Sequence, residues 1–246
     1  MKWTPSTVVQ KKIWADGLFT LRVTAPEVLP FSAGQFLHLA IVENDERTNR
    51  PYSVASPHGE HVDFFIVLVE DGKLTPKLWN LEAGDEIEIS ERAAGSFTLK
   101  KTPDAKHLWL VSTGTGLAPY IAMLRTAEPW QRYEKVIVVH GVRHRSDLAY
   151  QEEMDAYREQ YGEQFAYIPM LSREDDEHAL RGRIPQCLES GELERVAECE
   201  LNQDQSAILL CGNPAMLDEM ESRLGERGMV KHRKKAPGQI VLERYW

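Results

Sequence analysis

Cysteine is scarce in this chain: Cys187, Cys199 and Cys211 are the only three in 246 residues, odd in number and widely spaced. A disulfide framework needs paired cysteines, and a zinc site or a cysteine-ligated iron–sulfur cluster needs several ligands at short spacings, so none of these is indicated. No apolar run approaches the roughly 20 residues that span a bilayer, and Met1-Lys2-Trp3-Thr4-Pro5 leads into polar sequence without a hydrophobic signal segment. A cytoplasmic protein without membrane contact is expected. Positive charge is also short: 29 Lys+Arg against 38 Asp+Glu leave a net charge of −9. That argues against nucleic-acid binding, because displacing counterions from a polyanion takes a cationic surface. Gly-x-Ser-x-Gly, P-loop and His-Glu-x-x-His motifs are missing, so hydrolase readings find no footing.

What is present centres on His107–Tyr120. A short apolar run of strand length, Leu108-Trp109-Leu110-Val111, breaks at Gly114-Thr115-Gly116 and resumes as Tyr120-Ile121-Ala122-Met123-Leu124 with helical character. Strand, tight turn and helix in this order place backbone N–H groups and the positive end of a helix where an anion can sit. Pro119 stands where the dinucleotide fingerprint has its third glycine, so a nucleotide site and a plain structural turn both remain open.

Before this stretch the pattern is strand after strand. Leu18–Val23, Gln35–Val42 and Val62–Val69 are β-rich and punctuated by Gly34, Asn44-Asp45, Asp71-Gly72 and Gly84-Asp85, which predicts a closed or nearly closed antiparallel barrel. Thr75 as N-cap and Pro76 at the first helical position predict one helix start within the series. Arg50-Pro51-Tyr52-Ser53 could offer a guanidinium, a ring and a hydroxyl to a ligand, or be an ordinary strand with Tyr52 in the core. A change of pattern near Lys100–Asp104 divides the chain into domains 1–100 and 101–246. After it, strands at Leu108–Ser112, Val136–His140, Phe165–Leu171, Ala207–Cys211 and Gln239–Arg244 alternate with helices near Leu117–Ala127, Glu152–Tyr161, Ile184–Ser190 and Ala215–Arg227. Alternation of this kind predicts a parallel, Rossmann-like α/β sheet with helices on both faces. Arg143, Ser172-Arg173, Arg181 and Arg183 fall in loops after its strands, and Lys231-His232-Arg233-Lys234-Lys235 is a compact basic run.

Arg50-Pro51-Tyr52-Ser53, Gly72-Lys73-Leu74-Thr75, Gly114–Pro119 and Cys211-Gly212-Asn213-Pro214, in that order over nearly the whole chain, resemble the ferredoxin–NADP reductase family. The length and the Tyr245-Trp246 ending look most like its bacterial ferredoxin/flavodoxin–NADP reductases. The resemblance implies a two-domain flavoenzyme, an N-terminal FAD-binding barrel and a C-terminal NADP-binding domain, passing hydride between NADP(H) and FAD and single electrons between FAD and ferredoxin or flavodoxin. In such a protein Arg50 pairs with the FAD pyrophosphate, Tyr52 packs on the isoalloxazine and Ser53 bonds near its N5. Phe65, Ile66, Val67 and Leu68 match the strand along the flavin; Lys73, Leu74 and Thr75 match a phosphate-binding helix start, and Thr115 reaches the flavin from the second domain. Arg143, Ser172, Arg173 and Arg183 would hold the 2′-phosphate and adenosine of NADP, Cys211 would position the nicotinamide, Gly212 would admit the cofactor to close backbone approach, and Tyr245 and Trp246 would cover FAD. Ser53, Tyr52 and Cys211 are thus the expected catalytic residues. No metal is implied, a monomer is expected, and Lys231–Lys235 is the candidate docking surface for an acidic electron carrier. Oxygenase reductase components and NAD(P)H–flavin reductases use the same scaffold, and a non-catalytic nucleotide-binding module would keep the fold without turnover.

Overall fold

The computed structural model describes residues 1–245. The chain divides into two compact units, Met1–Thr98 with Ala118–Thr126, and Leu99–Leu117 with the chain from Ala127 onward. In the first unit the strands are β1 (Trp3–Ala15), β2 (Leu18–Thr24), β3 (Phe36–Glu43), β4 (Glu46–Ser53), β5 (His61–Val67) and, after a short helix α1 (Thr75–Trp79), β6 (Glu86–Ser90); all but the polar edge strand β4 carry apolar residues toward the interior. All pair antiparallel in the order β4-β3-β6-β1-β2-β5. Val54, just past β4, bridges to Phe64 of β5, so the two edge strands meet and the sheet closes into a barrel. β1 serves both sides of it: Trp3–Thr7 pair with β6, later residues pair with β2, and a register shift between Val8 and Gln10 bends the strand between them. Asn44 and Asp45, at φ 52° and 64°, make the two-residue turn between β3 and β4. Phe19, Leu21, Val23, Leu37, Leu39, Phe64, Ile66, Ile87 and Ile89, at alternate positions along their strands, fill the interior.

The second unit is a parallel sheet. Its strands are β7 (His107–Thr113), β8 (Lys135–Val142), β9 (Phe165–Leu171), β10 (Leu180–Arg181), β11 (Ser206–Gly212) and β12 (Ile240–Arg244), in the order β10-β9-β8-β7-β11-β12. The helices along this part of the chain are α2 (Ala118–Leu124, grouped with the barrel), α3 (Glu128–Arg132), α4 (Gln151–Tyr161), α5 (Ile184–Glu189), α6 (Glu192–Ala197) and α7 (Pro214–Glu226). The central strands are buried on both faces, which is why they read as continuous apolar runs. Residues of α5, α6 and α7 pack with Trp109, Val111, Ile137, Val139, Ile168, Met170, Ile208 and Leu210. On the opposite face Trp130 of α3 stacks on Tyr161 of α4, ring centroids 3.6 Å apart, and meets Phe165 edge-on.

Two local expectations change, and short elements are added to them. The helix expected over Leu117–Ala127 is a 3₁₀ turn at Gly114–Leu117 followed by α2 and α3. Pro129 lacks an N–H, and its ring would strike the Arg125 carbonyl of a continuous helix. Thr75 is the first residue of α1 rather than its N-cap, a place taken by Leu74 without a side-chain bond; the Thr75 hydroxyl instead accepts the Val69 N–H and donates to the Val69 carbonyl, both at 3.0 Å. The short elements α6 and β10 carry too little periodicity to be read from sequence. Among the described residues no helix is long and apolar enough to cross a membrane.

One buried charge holds the barrel to α2. The Asp63 side chain, 4% exposed, takes both nitrogens of an Arg22 fork at 2.7 and 2.8 Å and Arg125 Nη1 at 2.9 Å, and Arg125 also donates to the Ala55 carbonyl at 3.0 Å. Replacing Asp63 with Asn removes the charge both guanidinium groups face, and because these reach solvent the cost falls at about 2 kcal/mol rather than the ~3–5 of a fully buried pair. The urea midpoint of Asp63→Asn measures this; a shift equivalent to under about 0.5 kcal/mol would show that the network contributes nothing to stability.

Candidate active site

The sheet order reverses between β7 and β11, with β8, β9 and β10 to one side and β12 to the other. In open parallel sheets the crevice at the carboxyl ends of the strands flanking such a reversal is where ligands bind. Two glycines let the strand ends close on each other there. A Cβ on Gly116 would lie 2.6 Å from the Cys211 carbonyl oxygen, and one on Gly212, at φ +124°, would lie 2.3 Å from Thr113 Oγ1. The Thr113 hydroxyl accepts the Asn213 N–H at 2.9 Å, and the Asn213 side chain caps α7 by accepting from Ala215 and Met216 at 2.9 and 3.3 Å. The missing Cβ of Gly212 therefore makes room for Thr113, where the sequence reading gave that room to a cofactor. Tyr245 is tied to the same spot, its N–H donating to the Gly212 carbonyl at 3.3 Å.

One residue back from this edge, the register aligns His140, Ser112 and Cys211 across β8, β7 and β11, all fully buried. His140 Nε2 lies 3.0 Å from the Gly114 carbonyl, so the ring carries its proton on Nε2 and donates to the glycine turn, leaving Nδ1 to face the Tyr167 hydroxyl at 3.4 Å. Burial holds this histidine neutral, lowering its pKa to about 4. Burial likewise pushes the Cys211 thiol well above its ordinary range, with Glu243 adding to the effect and Tyr245 opposing it. Cys211 is a free, neutral thiol inside β11, suited to contact and not to nucleophilic attack.

The loops beyond β8 and β9 run side by side: the Ser172 N–H donates to the Val142 carbonyl at 3.0 Å and the Arg173 N–H to the Arg143 carbonyl at 3.1 Å. The Ser172 hydroxyl donates to the Val142 carbonyl at 3.2 Å and keeps its oxygen to accept from a ligand. Arg183 stands at the N-cap position of α5, just past β10. Arg143, Arg173 and Arg183 are exposed, and none makes an ion pair among the described residues. Three unpaired guanidinium groups on neighbouring strand ends of an acidic protein are a donor set for a phosphate.

In the barrel, β4 carries Arg50, Pro51, Tyr52 and Ser53. Arg50 is exposed and makes no ion pair among the described residues, its Nη1 donating to its neighbour's carbonyl at 2.8 Å. Tyr52 is half-buried against the barrel core, and burial raises its phenol to about 12, so it stays neutral beside Arg50. Ser53 is buried. Along β5, Ile66 belongs to the barrel interior and Phe65 and Val67 face the other way; Leu68 follows the strand, its N–H donating to the Gly17 carbonyl at 2.6 Å. Leu74 is in the core, so any ligand contact from it is made by backbone, while Lys73 is exposed. Arg50 and Lys73 leave guanidinium and ammonium donors free, which fits a pyrophosphate. Thr115 is buried in the 3₁₀ turn of the second unit. Trp246 lies outside the described residues. The sequence reading gave no role to Thr113, His140 or Asn213, although Asn213 stood in one of its motifs; an Asn-Pro pair opening a helix signalled Asn213, a lone histidine in an apolar strand signalled His140, and nothing signalled Thr113.

Residues 7–97 match the family model for an oxidoreductase FAD-binding domain and residues 110–222 that for an oxidoreductase NAD-binding domain. A barrel of the one kind and a parallel sheet of the other define a two-domain oxidoreductase. The chain is 39% identical to a flavodoxin/ferredoxin–NADP reductase of Escherichia coli (strain K12) over 99% of each chain, and 36% identical to a ferredoxin–NADP reductase of Pseudomonas aeruginosa over 94% of this chain and 93% of that one. A crystal structure of a Neisseria gonorrhoeae ferredoxin NADP+ reductase with bound FAD and NADP superposes over the whole of both chains with a TM-score of 0.95 at 29% identity. The chain belongs to the flavodoxin/ferredoxin–NADP reductase family.

The buried His140 makes stability depend on pH in a defined sense. Its pKa is depressed in the folded state, so below the unfolded value of about 6.5 the unfolded chain takes the proton first and stability falls, levelling off below about 4. The loss attributable to this group is at most about 3 kcal/mol. Urea unfolding of the wild type and His140→Gln between pH 7 and pH 4 measures it as the difference between the two curves; parallel curves would remove His140 from the account.

Proposed function

We propose that this enzyme transfers hydride between NADP(H) and FAD, and single electrons between FAD and ferredoxin or flavodoxin, with FAD on residues 1–100 and NADP(H) on residues 101–246, as a cytoplasmic monomer. Arg50 and Lys73 neutralise the FAD pyrophosphate, the Tyr52 ring stacks on the isoalloxazine, and the Ser53 hydroxyl bonds near its N5. Phe65, Val67 and the backbone of Ile66, Leu68, Leu74 and Thr75 line its length. In the second domain Thr115 reaches toward the flavin, and the neutral Cys211 thiol orients the nicotinamide without forming a bond to it. Arg143, Arg173 and Arg183, with Ser172, hold the 2′-phosphate and adenosine. Tyr245 would cover the flavin and yield to the nicotinamide, which hydride transfer needs at about 3–3.5 Å from the flavin.

The observation that carries this reading is the trio Arg143, Arg173 and Arg183, exposed and unpaired among the described residues while the arginines beside them are engaged with carboxylates. On this reading the purified protein is yellow and bleached anaerobically by NADPH at concentrations where NADH has little effect. Arg173→Ala weakens NADPH by about ten- to a hundredfold and leaves NADH nearly unchanged, as the loss of one charged hydrogen bond requires. Equal weakening of both nucleotides would overturn the assignment of the 2′-phosphate.

Docking of the acidic carrier is assigned to the loop before β12. Lys231 is engaged with Glu221 at 3.6 Å, but Arg233, Lys234 and Lys235 are exposed on a tight turn closed by paired hydrogen bonds between Arg233 and Ala236. Changing these three to Gln lowers the ratio of flavodoxin reduction to dye reduction at low ionic strength, and high salt narrows the gap between variant and wild type. An unchanged ratio would place the docking surface elsewhere.

A further inference from the structure

Glu174-Asp175-Asp176-Glu177 follows Arg173 directly, an unexpected neighbour for arginines offered to an anion. Its pairing removes the contradiction. The Arg145 guanidinium is taken by Asp176, which also accepts the His178 N–H at 2.8 Å, and Arg181 Nε lies 3.7 Å from Asp175. Glu177 faces the His178 ring at 3.3 Å. Glu174 turns back instead: its carboxylate accepts the backbone N–H of Arg145 and lies 3.3 Å from His144 Nδ1. These two partners are the residues that follow Arg143, as Glu174 is the residue that follows Arg173. Beyond the Ser172–Val142 and Arg173–Arg143 backbone bonds and the Arg145–Asp176 ion pair, Glu174 adds a further tie between the loops beyond β8 and β9, at the residues next to both arginines, and Asp147 accepts the His144 N–H at 3.0 Å.

We propose that Glu174 is a positioning residue for 2′-phosphate recognition: by bracketing Arg145 and His144 it keeps Arg143 and Arg173 side by side and in register. This rests on the NADP(H) reading given above. The bracket and simple electrostatics make opposite predictions. If Glu174 acted only through its charge, removing a carboxylate beside an anion site would tighten phosphate binding; if it is a bracket, removing it weakens binding.

The probes are 2′-phospho-AMP and AMP, with dissociation constants measured by calorimetry on the full chain carrying its flavin. Glu174→Ala weakens 2′-phospho-AMP by about five- to tenfold and leaves AMP within about twofold. Glu174→Gln, which keeps an oxygen for the Arg145 N–H, restores most of the loss, and Glu177→Ala, which removes the same charge from the same run, weakens neither probe. Unchanged or tighter 2′-phospho-AMP binding by Glu174→Ala, or equal weakening of both probes, overturns the bracket while leaving the NADP(H) reading intact. A wild type that does not distinguish 2′-phospho-AMP from AMP overturns that reading and the bracket with it.

Discussion

Backbone packed against backbone at the ends of β7 and β11 is the constraint on which the second domain depends. Thr113 and Gly116 fit against Gly212 and Cys211 with no space for another carbon, and this contact sets where the glycine turn, the start of α7 and the Tyr245 backbone lie relative to one another. The buried row His140, Ser112 and Cys211 sits directly behind it. His140, itself fully buried, reaches the exposed turn by donating to the Gly114 carbonyl. A neutral imidazole suits this place because burial disfavours the charged ring by more than the Gly114 carbonyl and Asp147 favour it.

Charge disposal is the second constraint. A chain of net charge −9 that holds dinucleotides has to keep its own carboxylates away from theirs, and it does so locally. Arg145 and Arg181 absorb the acidic run after β9, which leaves Arg143, Arg173 and Arg183 available. In the barrel one carboxylate, Asp63, is shared by two arginines and buried, whereas Arg50 and Lys73 remain exposed. The division between engaged and available cations follows geometry and cannot be inferred from composition.

Much of the architecture was legible in the chain. β9 runs over the residues that periodicity assigned to it, and β7, β8 and β11 extend the assigned runs by one or two residues at an end, because strands buried on both faces must be apolar throughout. The short elements α6 and β10 and the break between α2 and α3 were not legible, since six residues, and still more two, carry no reliable period and a proline stops a helix only where the chain is already turning. Thr75 misled for a related reason: its hydroxyl had two uses within reach, an N-cap or the Val69 backbone, and the tertiary position of Val69 decided between them.

Local conformational preference, and the period with which side chains meet a core, were enough to read the succession of the longer strands and helices, the glycine turn and the arginines in loops after strands. What the glycines make room for, which arginines stay unpaired, and that His140 supports the turn came only from the folded arrangement. Each of those outcomes depends on groups from strands distant in the chain arriving within about 3 Å of one another, a distance at which a hydrogen bond or a steric clash is settled.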